Sequence, residues 1–132
     1  MLIPIATIGC GKTTLARALV KLFGWGHIQN DNFTLRKGKP LAFAQTCTRA
    51  LYRYADVVIA DRNNHEKRER IQILEDILGC NMENIRPLAV ALHYVHYDGN
   101  GREHLNRVRA ATRNRVLTRG DSHQTIQTSI MG

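Results

Sequence analysis

The segment ATIGCGKTT, residues 6–14, decides the fold because two glycines and a lysine stand between a strand-like run and a helix-like run. Gly9 and Gly11 carry no Cβ, so the backbone can turn tightly and direct several amide N–H groups into one concavity. The preceding run LIPIATI (2–8) is rich in β-branched and apolar residues. In the following run LARALVKLF (15–23) the apolar residues recur at helical spacing. A strand, a concave glycine loop and a helix in this order are typical of phosphate binding.

The spacing of this segment follows the P-loop pattern Gly-x-x-x-x-Gly-Lys-Ser/Thr, with Ala6 at the first glycine position. In that pattern Lys12 reaches the β- and γ-phosphates of a nucleotide and Thr13 offers its hydroxyl to Mg²⁺. The start of the following helix adds a positive field. A chance glycine turn with a solvated lysine is the alternative. The predicted nucleotide-binding residues are Ile8, Gly9, Cys10, Gly11, Lys12, Thr13 and Thr14.

Length, charge and cysteine content limit the class of protein. The 132 residues suffice for one domain, 1–132, but are few for a complete α/β kinase, so truncation at the C-terminus stays open. The 19 Lys and Arg against 11 Asp and Glu give a net charge of +8, which favours a polyanionic partner. No signal peptide or membrane-length apolar run is evident. The three cysteines form no C-x-x-C pair, which argues against a disulfide framework and a zinc site. We therefore expect an intracellular protein of the nucleus or cytoplasm that is not secreted.

Four strand-like runs alternate with four helical segments along the chain. Strands are predicted at 2–8, 27–30, 56–60 and 88–97, and helices at 13–23, 41–54, 65–78 and 103–118. This alternation gives βαβ units, so the predicted fold class is α/β, with a parallel sheet flanked by helices in three layers. In the third helix Ile71, Leu74 and Leu78 are predicted to form one apolar stripe, which Ile73 and Ile77 widen.

Acidic side chains follow the second and third strands, where parallel sheets bind their ligands. A carboxylate at Asp31 could accept the proton of an attacking hydroxyl in phosphoryl transfer to an alcohol. A cap or turn aspartate is the alternative. Asp61 closes the apolar run VVIA in a Walker-B arrangement, in which the acid orients Mg²⁺ or its water. The alternative there is a capping aspartate, with Asn64 as the true N-cap of the next helix.

The last third of the chain is its most basic part. Five arginines fall within thirteen residues: Arg107, Arg109, Arg113, Arg115 and Arg119. On a helix, residues 109 and 113 share a face, as do 115 and 119, so the segment 107–123 is predicted to fold over the phosphates as a lid. Its arginines would neutralise charge on the transferred group. A solvated basic helix is the alternative.

Together these segments resemble the polynucleotide kinase domain of fungal tRNA ligases. The resemblance is carried by PIATIGCGKTTLARAL, GWGHIQNDN, VVIADRNNHEKRER, ALHYVH and RNRVLTRGDSHQTI. It implies a P-loop phosphotransferase that phosphorylates the 5′-OH of a cleaved tRNA exon during splicing and repair, with Mg²⁺ and an NTP, preferably GTP. In such proteins the kinase lies between a ligase domain and a cyclic phosphodiesterase domain.

The resemblance also implies roles for individual residues. Implied catalytic residues are Lys12, Asp31, Arg113, Arg115 and Arg119, and implied metal-binding residues are Thr13 and Asp61. Asp31, Arg36 and Arg62 are implied as contacts of the RNA acceptor. For Arg36 a solvated loop is the alternative.

Two other functions share parts of this pattern. A kinase of a nucleotide or small metabolite would have the same loop and acids, although the positive charge argues mildly against it. An RNA- or nucleotide-binding module without catalysis is disfavoured, since Lys12, Thr13, Asp31 and Asp61 are all present. A GTPase switch is disfavoured because no N-K-x-D motif occurs.

Overall fold

The computed structural model describes residues 1–6, 9–34, 37–80, 87–94 and 102–119, and in the last of these ranges the side chains of residues 109–118. Strands and helices alternate along this part of the chain: β1 Leu2–Ile5, α1 Lys12–Phe23, β2 Gly26–Gln29, α2 Lys39–Arg53, β3 Val58–Asp61, α3 Lys67–Gly79, β4 Val90–His93 and α4 Arg102–Arg119. A 3-10 turn, Asn30–Asn32, follows β2. All eight predicted elements are present. Strands β1 and β4 are shorter than predicted, and residues 7–8 and 95–97 of those two runs lie outside the described residues.

The strands form one sheet in the order β2-β3-β1-β4, and every neighbouring pair is parallel. Strand β1 therefore lies between β3 and β4, and the loop that leaves it emerges in the middle of one edge of the sheet. The carboxyl ends of all four strands lie along this edge because the strands are parallel. The predicted α/β class with a parallel sheet is confirmed. Among the helices that the structure describes, none has both the length and the apolar character needed to cross a bilayer.

Alternate residues of β3 face opposite layers of the fold. Val58 and Ala60 belong to the core cluster that α2 and α3 form with one face of the sheet. Ile59 and Asp61 point to the other face, because side chains alternate along a strand. Helix α1 contacts β2 and β3, and its Thr13 bonds to Asp61 on this second face. The sheet thus lies between α2 and α3 on one side and α1 on the other, which gives the three layers predicted.

Helix α3 turns a different face to the core than the sequence predicts. Ile73 and Ile77 are buried in the cluster with α2, whereas Ile71, Leu74 and Leu78 are exposed by 45%, 41% and 72%. The predicted stripe is therefore right for Ile73 and Ile77 and wrong for Ile71, Leu74 and Leu78, because the helix carries two adjacent apolar sets and α2 covers only the set around Ile73 and Ile77.

The start of α3 also differs from the alternative that placed the N-cap at Asn64. The N-cap is Glu66, which forms a capping box with Glu69; the Glu66 amide donates to Glu69 Oε2 at 3.0 Å. Asn64 is instead fully buried, with φ of 49°. Its Nδ2 donates to the carbonyls of Pro4, at 3.1 Å, and Arg62, at 3.2 Å. Asn64 therefore connects the ends of β1 and β3.

Candidate functional site

The two glycines that precede α1 have backbone conformations that favour glycine. Gly9 and Gly11 have φ of 77° and 95°, in the left-handed region that favours glycine. Gly11 is the N-cap of α1, so the amides of the first helical turn, which have no partner within the helix, begin at Lys12. Ala6, at the first position of the motif, is buried, and its amide donates to the Asn63 carbonyl at 2.9 Å. The loop thus starts from a fixed point on the neighbouring strand end.

A cavity of about 310 Å³ opens at the carboxyl edge of the sheet. The predicted residues that line it are Gly9, Gly11, Lys12, Thr13, Thr14, Asp31, Asp61 and Arg62. Of the predicted residues, the two loop glycines, Lys12 and the two aspartates therefore share one cavity. The sequence analysis did not select the other lining residues, which are Gln29, Asn30, Asn63, His65 and Glu69.

Asp61 receives hydrogen bonds from two other elements. Its Oδ2 accepts from Thr13 Oγ1 at 2.9 Å and lies 2.8 Å from His27 Nε2. Burial alone raises the pKa of the Asp61 carboxyl, but the hydrogen bonds from His27 and Thr13, together with the Lys12 charge, outweigh it and lower the pKa below its ordinary 3.8. The carboxylate is therefore charged at neutral pH although its side chain is only 4% exposed.

The pairing of β2 with β3 explains how His27 reaches Asp61. His27 is paired with Ile59 and Gln29 with Asp61, so His27 lies on the same face as Asp61 but two residues earlier in register. Its imidazole spans that offset. The sequence analysis did not identify His27 as a site residue, because a single histidine within a strand gives no signal before the register is known.

Thr13 and Asp61 have the oxygen donors that a small divalent cation prefers. Their oxygens lie 2.9 Å apart, and neighbouring positions around Mg²⁺ are about 3 Å apart at its usual bond length. Within the described ranges, no three His, Cys, Asp or Glu side chains form a cluster that could hold a metal. Such a pair suits a cation that is held mainly by nucleotide phosphates and only partly by protein.

Asp31 also lines the cavity. It is the middle residue of the 3-10 turn Asn30–Asn32, which directly follows β2, and its side chain is exposed. The turn is closed by the amide of Phe33, which donates to the Asn30 carbonyl at 3.1 Å. The structure thus brings Asp31 to the same cavity as Lys12 and Asp61, as the strand-end argument predicts.

Helix α4 lies against the glycine loop. The carbonyl of Gly9 accepts a hydrogen bond from Arg115 Nη1 at 3.4 Å. A Cβ at Gly9 would lie 3.0 Å from Val116 Cγ2 and 3.1 Å from the Thr112 carbonyl oxygen. The absence of a side chain at Gly9 therefore allows α4 to approach the loop this closely.

For the remaining predicted residues the structure describes few contacts or none. Arg113 is exposed on α4, and Cys10 is partly buried in the loop. Arg62 Nη2 donates to Gln72 Oε1 of α3 at 3.2 Å, at the rim of the cavity. The side chain of Arg119, together with Ile8, Arg36 and the lid segment 120–123, lies outside the described residues.

Comparisons with known proteins identify the family of this chain. The family model described as "tRNA ligase kinase domain" matches residues 1–132. The chain is 43% identical over 129 residues to tRNA ligase 1 of Schizosaccharomyces pombe, which covers 98% of this chain. It is 39% identical over 134 residues to the tRNA ligase of Candida albicans, which covers 95% of this chain. The chain spans 15% of the length of each of these two relatives.

A solved structure described as "Crystal Structure of Fungal RNA Kinase" has the same fold. It aligns with a TM-score of 0.72 and 35% identity, over 97% of this chain and 57% of its own. This similarity confirms the P-loop kinase fold expected from the sequence. The family match extends over the full sequence given. The chain therefore belongs to the tRNA ligase kinase domain family.

Proposed function

We propose that this kinase domain transfers the γ-phosphate of a nucleoside triphosphate to the 5′-hydroxyl of RNA, at tRNA exon ends during splicing and repair. One observation carries the proposal: the phosphate-binding loop, the Thr13–Asp61 oxygen pair and the Asp31 carboxylate line a single cavity. Membership in the tRNA ligase kinase family and the similarity to a fungal RNA kinase support the choice of RNA as acceptor.

In the proposed mechanism the loop amides and Lys12 hold the β- and γ-phosphates of the donor. Thr13 and Asp61 would hold Mg²⁺, which when bound supplies charge neutralisation to these phosphates. Asp31 accepts the proton of the 5′-hydroxyl as that oxygen bonds to the γ-phosphorus, and the bond from phosphorus to the bridging oxygen of the departing diphosphate breaks. The carboxylate makes the hydroxyl a stronger nucleophile because it removes this proton.

Arginines supply the remaining positive charge in this proposal. Arg115, whose guanidinium already reaches the loop, would stabilise the transferred phosphoryl group together with Arg113 and Arg119. Arg62, at the rim of the cavity, and Arg36 would contact phosphates of the RNA acceptor. The net charge of +8 is consistent with a polyanionic substrate.

We further propose GTP as the preferred donor and a nuclear or cytoplasmic location. The relatives are tRNA ligases about seven times longer than this chain, of which it spans 15%. We therefore propose that the domain acts beside adenylyltransferase-ligase and cyclic phosphodiesterase domains. These assignments rest on the family resemblance.

The test is a phosphoryl-transfer assay with a 5′-OH oligoribonucleotide and γ-labelled GTP and ATP in parallel. Nucleosides and small alcohols serve as competing acceptors. Asp31→Ala is expected to lower transfer by about 10²- to 10⁴-fold while nucleotide affinity is retained, whereas Lys12→Ala is expected to lose both. Asp56→Ala is the matched control, because Asp56 is an exposed aspartate at the opposite edge of the sheet. Near-normal transfer by Asp31→Ala would remove Asp31 from the role of base, and transfer to small alcohols alone would refute the RNA acceptor.

A further inference from the structure

His27 lies behind Asp61 and does not touch the cavity itself. It is absent from the described residues that line the cavity, and its side chain is 12% exposed. Its Nε2 is 2.8 Å from Asp61 Oδ2, within the range of a charge-assisted hydrogen bond. Because an ionised carboxylate only accepts hydrogen bonds, the proton of this bond belongs to His27 Nε2. His27 thus acts on the site only through Asp61.

Two donors converge on the same carboxylate oxygen. Asp61 Oδ2 accepts from Thr13 on α1 and from His27 on β2, so the oxygen is held from two elements at once. The terminal torsion of an aspartate is soft and has no sharp preferred angle. With the Thr13 bond alone, the carboxyl group could turn while that bond is kept. The second bond, from His27, removes this freedom.

We propose that His27 is a positioning residue, which fixes the Asp61 carboxylate so that Thr13 and Asp61 present their oxygens together to the divalent cation of the bound nucleotide. The inference rests on the proposed function, because the cation is that of the donor triphosphate. Removal of a residue that orients a metal ligand lowers metal affinity by about 10- to 100-fold. A histidine that served only the packing of β2 would affect stability and leave cation affinity unchanged.

The test compares cation binding among variants of His27. The measurement is Mn²⁺ affinity by electron paramagnetic resonance, in the presence of the β,γ-imido analogues of GTP and ATP. His27→Leu is expected to weaken Mn²⁺ binding by about 10- to 100-fold, with the affinity for the analogue in EDTA unchanged. His27→Gln, which keeps an N–H at similar reach, is expected to restore Mn²⁺ affinity to within about threefold of the unmodified protein.

Ile28→Ala provides the matched control. Ile28 is the next residue on β2 and packs against the core on the other face of the sheet, so this change lowers stability without touching Asp61. If His27→Leu does not fold, His27→Asn takes its place, since its amide is too short to reach Asp61. Mn²⁺ affinities of the Leu or Asn variant equal to that of Ile28→Ala would overturn the inference.

This outcome is separate from a failure of the proposed function. Mn²⁺ binding to the nucleotide complex requires no RNA, so the His27 effect would persist if only the acceptor were wrong. Conversely, full transfer to RNA together with unchanged Mn²⁺ affinity in His27→Leu would refute the positioning role alone.

Discussion

Replacement of Gly9 by alanine tests whether α4 depends on a side-chain-free position in the loop. The new Cβ would meet Val116 Cγ2 at 3.0 Å, the Thr112 carbonyl oxygen at 3.1 Å and Thr112 Cγ2 at 3.3 Å. Ordinary van der Waals contacts of such atoms begin near 3.5 Å. Either the loop or α4 has to shift. We expect α4 to move, because the loop is joined to the sheet through Ala6 and Asn63.

Backbone strain and steric contact both contribute to the expected loss of stability in Gly9→Ala. An alanine at φ of 77° costs about 1–2 kcal/mol, because L-residues are strained in the left-handed region. Overpacking against a fixed neighbour adds about 1–3 kcal/mol. Gly24→Ala is the matched control: Gly24 also has positive φ, 67°, but its Cβ would meet no atom within 4 Å. The difference between the two variants therefore measures the contact with α4.

Two measurements separate these parts. Urea unfolding is expected to show a larger loss of stability for Gly9→Ala than for Gly24→Ala, by about 1 kcal/mol or more. Limited trypsin digestion is expected to cut α4 at Arg113 and Arg115 faster in Gly9→Ala, because an undocked helix frays more readily. Equal cleavage rates and equal stability losses in the two variants would refute the reasoning that α4 packs on Gly9.

Three further predictions concern the residues around the cavity. Asp61→Asn removes a carboxylate whose pKa is lowered on folding. The stability advantage of the unmodified protein over this variant is therefore expected to be constant above about pH 4 and to shrink as the pH falls below it. Urea unfolding from pH 3 to 6 checks this, and an advantage that grows toward acid would contradict it. Asn64→Ala is expected to lower the free energy of unfolding by about 2–4 kcal/mol, because the Pro4 and Arg62 carbonyls lose their donor and the φ of 49° becomes strained. Asn64→Gly relieves only the strain, so thermal unfolding should show about 1 kcal/mol more stability than for Asn64→Ala. Glu69→Ala breaks the capping box of α3 and is expected to lower the free energy of unfolding by about 1 kcal/mol more than Glu75→Ala, which changes an exposed residue of the same helix. Equal melting temperatures of the two variants would refute a stabilising role of the capping box.

The glycine loop and its flanking elements were predictable because their signals are local. Gly9, Gly11 and Lys12 stand at fixed spacing, and the periods of the neighbouring runs differ visibly. Asp31 and Asp61 could be placed at the site because both follow strands, and parallel strands end at a common edge. The assignment of 1–132 as a single domain, and the roles of the lid arginines, stay predictions.

The features that could not be predicted from the sequence are those that depend on tertiary neighbours. The buried face of α3 was predicted only in part, because Ile71 and Ile73 both belong to apolar sets and only the position of α2 decides which set is buried. His27 was missed because its contact with Asp61 arises from the register of β2 against β3. The alternative that made Asn64 a cap was wrong: asparagine favours that position, but here its side chain donates to carbonyls at the ends of two strands.

The bonds between the ends of β1 and β3 determine which parts of the site can move. The Ala6 amide donates to the Asn63 carbonyl, and the Asn64 side chain donates to the Pro4 carbonyl, so these two bonds hold the two strand ends together beside the cavity. We therefore expect conformational change during turnover to involve α4 rather than these strand ends. Hydrogen exchange should reveal this division directly, as a slowly exchanging Ala6 amide beside rapidly exchanging amides in α4.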